Sequence, residues 1–170
     1  MIAAESTIAT PSPFRYLKGI EYFDFEEDFV EKNMRCIPMI IRFKMDVTGI
    51  KLKLSEWYRF SIEEKFELAT RPVESEDDIQ YYYSFLSLLI LKHTEKTATL
   101  IGVEACPQWS CLNEVPSELS NYAGNYNWSI STDQWSGLTD LQRFALLKLC
   151  RPGHENKNFP KAMKEFGLIN

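Results

Sequence analysis

Residues 150–160 read CRPGHENKNFP, a run that gathers a thiol, a guanidinium, an imidazole, a carboxylate, two amides and an ammonium group. Nucleophilic catalysis asks for Ser or Cys beside a His that an acid orients. Cys150 stands four residues before His154, and Glu155 follows it, but Pro152 and Gly153 break any helix between them. The spacing therefore fixes no mutual geometry, and no cysteine-enzyme signature accompanies the pair. The other histidine, His93, closes an apolar run, where a positive charge suits a helix C-terminus.

A metal is the next chemistry to consider. Cys106 and Cys111 form C-x4-C, and Cys150 and His154 form C-x3-H. Three thiolates and one imidazole suit tetrahedral zinc, although the spacing is looser than in common zinc modules. Cys36, next to Ile37 and Pro38, reads as a small buried apolar side chain. With seven glycines in all, the chain builds no glycine-rich phosphate loop. The carboxylates Glu26, Glu27, Asp28 and Glu31, and again Glu74, Glu76, Asp77 and Asp78, read as solvated helix starts and not as acid–base pairs. No catalytic constellation emerges, and the expectation is a protein that is not an enzyme.

The elements that would position these groups follow from composition and pattern. A chain of 170 residues with 45% hydrophobic, 14% aromatic and 25% charged residues has the composition of one globular domain. No apolar stretch is long enough to cross a membrane, and the first residues lack the basic start of an export signal. Four cysteines in such a chain point to reduced thiols in the cytoplasm. Residues 1–13, small and polar with two prolines, read as a loose arm before a single domain over 14–170. The net charge of −5 is uneven, because residues 143–164 hold six Lys or Arg and one acid, Glu155. A basic patch on an acidic protein argues against nucleic acid as the partner and for a local anion or an acidic protein surface.

Laid over itself at an offset of 78, the chain aligns Ile37 onward with Val115 onward, giving pseudo-repeats near 37–72 and 115–152. Pro38 falls on Pro116, Trp57 on Trp135, Phe66 on Phe144 and Leu68 on Leu146. Ser61 with Glu64, and Thr139 with Gln142, form matching S/T-x-x-E/Q boxes that close a helix start. Each copy reads as a proline-initiated helix, a short extended link, a short helix bearing the tryptophan, and a capped helix. Ser75 and Asp78 cap a further helix, apolar on all sides from Tyr81 to Leu91, which is expected to be buried at the centre. Residues 94–114 fit no period and read as a long loop, with TATLIGV able to add one short strand. A last helix starts near Pro160 and closes at Gly167. The expected fold is mostly α: a single domain of two pseudo-repeated helix-turn-helix units around a central buried helix, with at most a minor β element.

Two stretches, FDFEEDFVEKNMRCIPMIIRFKMDVTGIKLKLSEWYRFS and LTDLQRFALLKLCRPGHENKNF, resemble the two signature regions of the nitrate reductase-associated protein family, small proteins typical of cyanobacteria. The resemblance covers most of residues 22–166, and its shared stretch falls on Arg151, Pro152, Gly153, His154, Glu155, Asn156, Asn158 and Phe159. It implies a cytoplasmic accessory protein that accompanies assimilatory nitrate reductase and the genes for its molybdopterin cofactor. It carries over no catalytic residues. The expected function is a non-enzymatic assembly factor that contacts nitrate reductase or its maturation machinery. Arg143, Arg151, Gly153, His154, Glu155, Asn156, Lys157, Asn158 and Phe159 would form the docking face. The alternative is a carrier of a phosphorylated molybdopterin-type cofactor, with Arg143, Arg151 and Lys157 on the phosphate and Trp135 stacked on the pterin.

Overall fold

The computed structural model describes residues 14–26, 36–153 and 156–170. The proposed arm at 1–13 and the acids Glu27, Asp28 and Glu31 lie outside the described residues, as do His154 and Glu155. The described residues form eight α-helices, short 3-10 turns and one two-stranded sheet.

Pro38 supplies the N-cap of α1 (Met39–Thr48), whose far end closes on Gly49 in the left-handed conformation, φ 76°. That turn aims the chain into β1 (Ile50–Lys51). α2 (Leu54–Trp57) follows, and then α3 (Ile62–Thr70), which Ser61 and Glu64 cap reciprocally. α4 (Glu76–Thr94) begins at the equivalent box of Ser75 and Asp78. β2 (Thr99–Leu100) pairs antiparallel with β1, Ile50 opposite Leu100 and Lys51 opposite Thr99, so the minor β element forms inside TATLIGV. The second half holds α5 (Ser117–Gly124), α6 (Thr132–Ser136), α7 (Asp140–Leu149) and α8 (Phe159–Glu165). α1, α2 and α3 begin at Met39, Leu54 and Ile62, and α5, α6 and α7 at Ser117, Thr132 and Asp140, so each start recurs 78 residues later.

The expectation of a central α4 needs correction. Tyr82, Leu86, Leu89 and Ile90 face inward, but Tyr81 is 69% and Leu88 64% exposed. α4 is a boundary helix with one apolar face open to solvent. Its all-round apolar sequence does not say which sides have neighbours. The centre belongs to α7, which buries Leu141, Phe144, Ala145, Leu146, Leu147 and Leu149 and packs against α1, α5, α8 and the 3-10 turn Gln108–Ser110. α1 packs against both α4 and α7 and so joins the halves.

Glu26 corrects a second expectation. It is fully buried, not solvated. Its carboxylate accepts from the Met39 N–H at 2.6 Å and the Phe23 N–H at 3.2 Å, which anchors the start of α1. Glu165 of α8 accepts in turn from the Asp24 and Phe25 N–H groups, and Phe23, Phe25 and Phe166 stack beside that clamp. The N-terminal segment thereby holds α8 in place.

Candidate functional site

The expected docking set divides once it is placed in the fold. Arg143 is only 4% exposed. Its Nε donates to the Trp109 carbonyl at 2.6 Å, and its remaining nitrogens reach the Leu138 and Trp135 carbonyls and the Asp140 carboxylate. The guanidinium is buried among carbonyls that face it, so it is a structural tie and not a docking group. It also stands 5.9 Å from the Trp135 ring centre. Lys65 repeats this arrangement in the first half, 4.9 Å over the Trp57 ring. Burial pulls the Lys65 amine below its ordinary pKa.

Asn158 and Phe159 are also interior. Phe159 is fully buried and meets Tyr122 edge-on at 4.8 Å. Asn158 is 1% exposed, and neither its Oδ1 nor its Nδ2 has a hydrogen-bond partner among the described residues. Arg151, Gly153 and Lys157 are exposed. Asn156 opens the 3-10 turn Asn156–Asn158 that leads into α8.

What replaces the lost members is a row that charge counting alone did not resolve. Lys157, Lys161 and Lys164 are all exposed, and their spacing of four and three residues puts them on one side of the turn and helix they occupy. Arg151 lies upstream, 3.5 Å from Glu118. Lys148 turns elsewhere and pairs with Asp46 at 3.0 Å. The signal was present in the sequence as the spacing 157, 161, 164. It was hidden by pooling those lysines with Arg143 and Lys148 into one charge total.

A cleft of about 560 Å³ lies beside this region. Val47, Ile101, Val103, Trp109, Phe144 and Leu147 form its apolar walls, and Asp46, Glu104, Glu118, Lys148 and Arg151 stand around them. Trp109 holds one wall in place by meeting Phe43 edge-on at 4.9 Å, and Phe43 meets Phe144 at 5.4 Å. Three carboxylates against two cations make the cleft a poor host for a phosphorylated ligand. The pterin stacker fails as well. Trp135 is fully buried, and its Nε1 donates to the Cys111 carbonyl at 2.8 Å. The residues named for a molybdopterin-type cofactor therefore do not form a site for one.

Of the zinc set, His154 lies outside the described residues, and the three cysteines divide between surface and interior. Cys106 and Cys111 are exposed and adjacent, with Sγ atoms 3.7 Å apart. Cys150 is buried, and its thiol donates to the Leu147 carbonyl. Burial pushes the Cys150 thiol up to about 11, which disfavours the thiolate that a nucleophile needs. Among the described residues no group of three or more His, Cys, Asp or Glu side chains is placed to hold a metal. His93 is in the structural role its position predicts, 2.8 Å from Glu64 and beside Phe60 at the end of α4.

Fold and surface define a small, mostly helical protein with a lysine row on its last helix, and no described helix is long and apolar enough to cross a membrane. Residues 22–166 match the family of conserved nitrate reductase-associated proteins, and the chain belongs to that family. No curated protein and no solved structure matches the chain.

Proposed function

We propose that this protein is a non-enzymatic accessory or assembly factor of assimilatory nitrate reductase. It acts by protein–protein contact, presenting the lysine row of α8, with Arg151 beside it, to an acidic surface of the reductase. The observation that carries the reading is the exposure of Lys157, Lys161 and Lys164 on one side of the 156–158 turn and α8, within the matched stretch of a family described as nitrate reductase-associated. Three like charges on a turn and the helix it leads into, clamped to the N-terminal segment, form a rigid positive surface, suited to steering an acidic partner and fixing its orientation. The carrier reading has no comparable support, because Arg143 and Trp135 are enclosed by the protein itself.

Zero-length cross-linking joins amines to carboxylates only where they touch, and it maps this contact directly. Incubated with assimilatory nitrate reductase, the protein is expected to form cross-links from Lys157, Lys161 or Lys164 to Asp or Glu of the reductase. Cross-links confined to lysines of the first half, such as Lys51, Lys92 or Lys96, would place the contact on another face and contradict the proposal.

A further inference from the structure

Cys106 and Cys111 play no part in the docking surface, yet their arrangement is specific. Both thiols are exposed, and their sulfurs are in van der Waals contact at 3.7 Å. The loop between them is already folded into a tight turn. The Ser110 N–H and Oγ both donate to the Pro107 carbonyl, at 2.9 and 2.7 Å, and the Cys111 N–H donates to the Gln108 carbonyl at 3.2 Å. Two buried side chains pin this turn from below, Arg143 on the Trp109 carbonyl and Trp135 on the Cys111 carbonyl.

We propose that Cys106 and Cys111 form a reversible dithiol–disulfide site that exchanges with low-molecular-weight disulfides and, when oxidised, staples the 106–111 wall of the cleft. Closing the bond asks the sulfurs to approach from contact to about 2 Å, a side-chain rotation and not a refolding of the loop. The fold has therefore already met most of the entropy of ring closure. Pro107, Gln108 and Trp109, three of the four residues inside the ring, line the cleft, so oxidation fixes that wall covalently.

The reaction balances against a glutathione-type disulfide. The Cys106 thiolate attacks one sulfur of that disulfide, a mixed disulfide forms, and one glutathione thiolate leaves. Cys111 then attacks the Cys106 sulfur, the ring closes, and the second glutathione leaves. Two electrons pass from the protein to the oxidant, and the two thiol protons end on the two released glutathiones. The hydrogen bond to Cys106, helped by desolvation and by Cys106 charge, raises the Cys111 pKa. Both sulfurs are exposed and in contact, so the same ring closes whichever of them attacks first. Cys150, buried and protonated, does not compete.

The test equilibrates the intact protein in glutathione redox buffers, quenches with acid, blocks remaining thiols by alkylation and maps peptides by mass spectrometry. The expected product is a 106–111 cross-linked peptide lighter by two hydrogens. Its midpoint should lie at a glutathione disulfide fraction about tenfold lower than for the same chain unfolded in urea. Cys111→Ser should hold glutathione on Cys106 as a stable mixed disulfide. A native midpoint no lower than the unfolded one, or glutathione carried separately on both cysteines of the wild-type protein, would overturn the proposal.

Discussion

Three cations are buried among the described residues: Lys44 and Arg143 are held by oxygen atoms that the fold brings to them, and Lys65 lies over the Trp57 ring. The Lys44 ammonium of α1 donates to the Ala69 and Arg71 carbonyls, the last acceptors of α3, with 2.6 Å to Ala69. Desolvation lowers its pKa from 10.5 to about 8, against the opposing attraction of Glu74. The unfolded chain thus binds more protons than the folded one between those two values, and stability from this group rises with pH across that window. Lys44→Met isolates the effect, because all other titrations cancel in the difference. The stability advantage of the wild type over Lys44→Met, read from urea unfolding, is expected to grow from pH 8 toward pH 10.5. A difference that stays flat or shrinks contradicts the account of a charged amine buried at a cost. Such residues were not legible in the sequence. Nothing in the local pattern marks Lys44 or Arg143 as buried, since the Ala69 and Trp109 carbonyls that receive them come from elements far along the chain.

At the scale of elements, the sequence was read most accurately where the determinant is local. The boxes of Ser61 with Glu64, Ser75 with Asp78 and Thr139 with Gln142 all form, because residues three apart meet at a helix start whatever surrounds them. The same logic also produces a box that went unread, Ser131 with Gln134 at the start of α6. The link before α2 and the TATLIGV segment became the two strands, but their pairing rests on a contact across the whole of α4. Gly49 is the hinge of that contact. At φ +76° it has a left-handed backbone, and an added Cβ would lie 2.8 Å from Val103 Cγ2 and 3.1 Å from the Ile101 carbonyl. Its own carbonyl accepts from the Ile101 N–H at 2.9 Å. Gly49→Ala therefore combines backbone strain with a steric clash and is expected to lower unfolding stability by about 2 kcal/mol. Gly19, φ +84° with nothing within 4 Å of its Cβ position, carries the strain alone and serves as the control. Its alanine variant should lose about 1 kcal/mol. Equal losses at the two sites would mean that Val103 yields freely and that the cleft wall is not packed as described.

At the scale of the whole molecule, a chain of net charge −5 carries its outward lysine row on the last helix and the turn before it. The family was legible from two signature stretches, because they contain enough ordered residues to be specific. The contact surface was legible only as a charge excess. Burial then removed Arg143, Asn158 and Phe159, the partnership with Asp46 engaged Lys148, and helical periodicity brought out Lys157, Lys161 and Lys164. Charge content can be read from composition, but which charges face outward together depends on the packing of α8 against α7 and the Asp24–Glu26 turn. The central claim is that this row docks nitrate reductase. The most direct test titrates the purified reductase with the wild-type protein and with the triple variant K157E/K161E/K164E, at low and at physiological salt. The wild type is expected to bind, more weakly as salt rises, and the triple variant to lose at least about tenfold in affinity with unchanged folding. Equal affinities for the two proteins, or wild-type binding indifferent to salt, would contradict it.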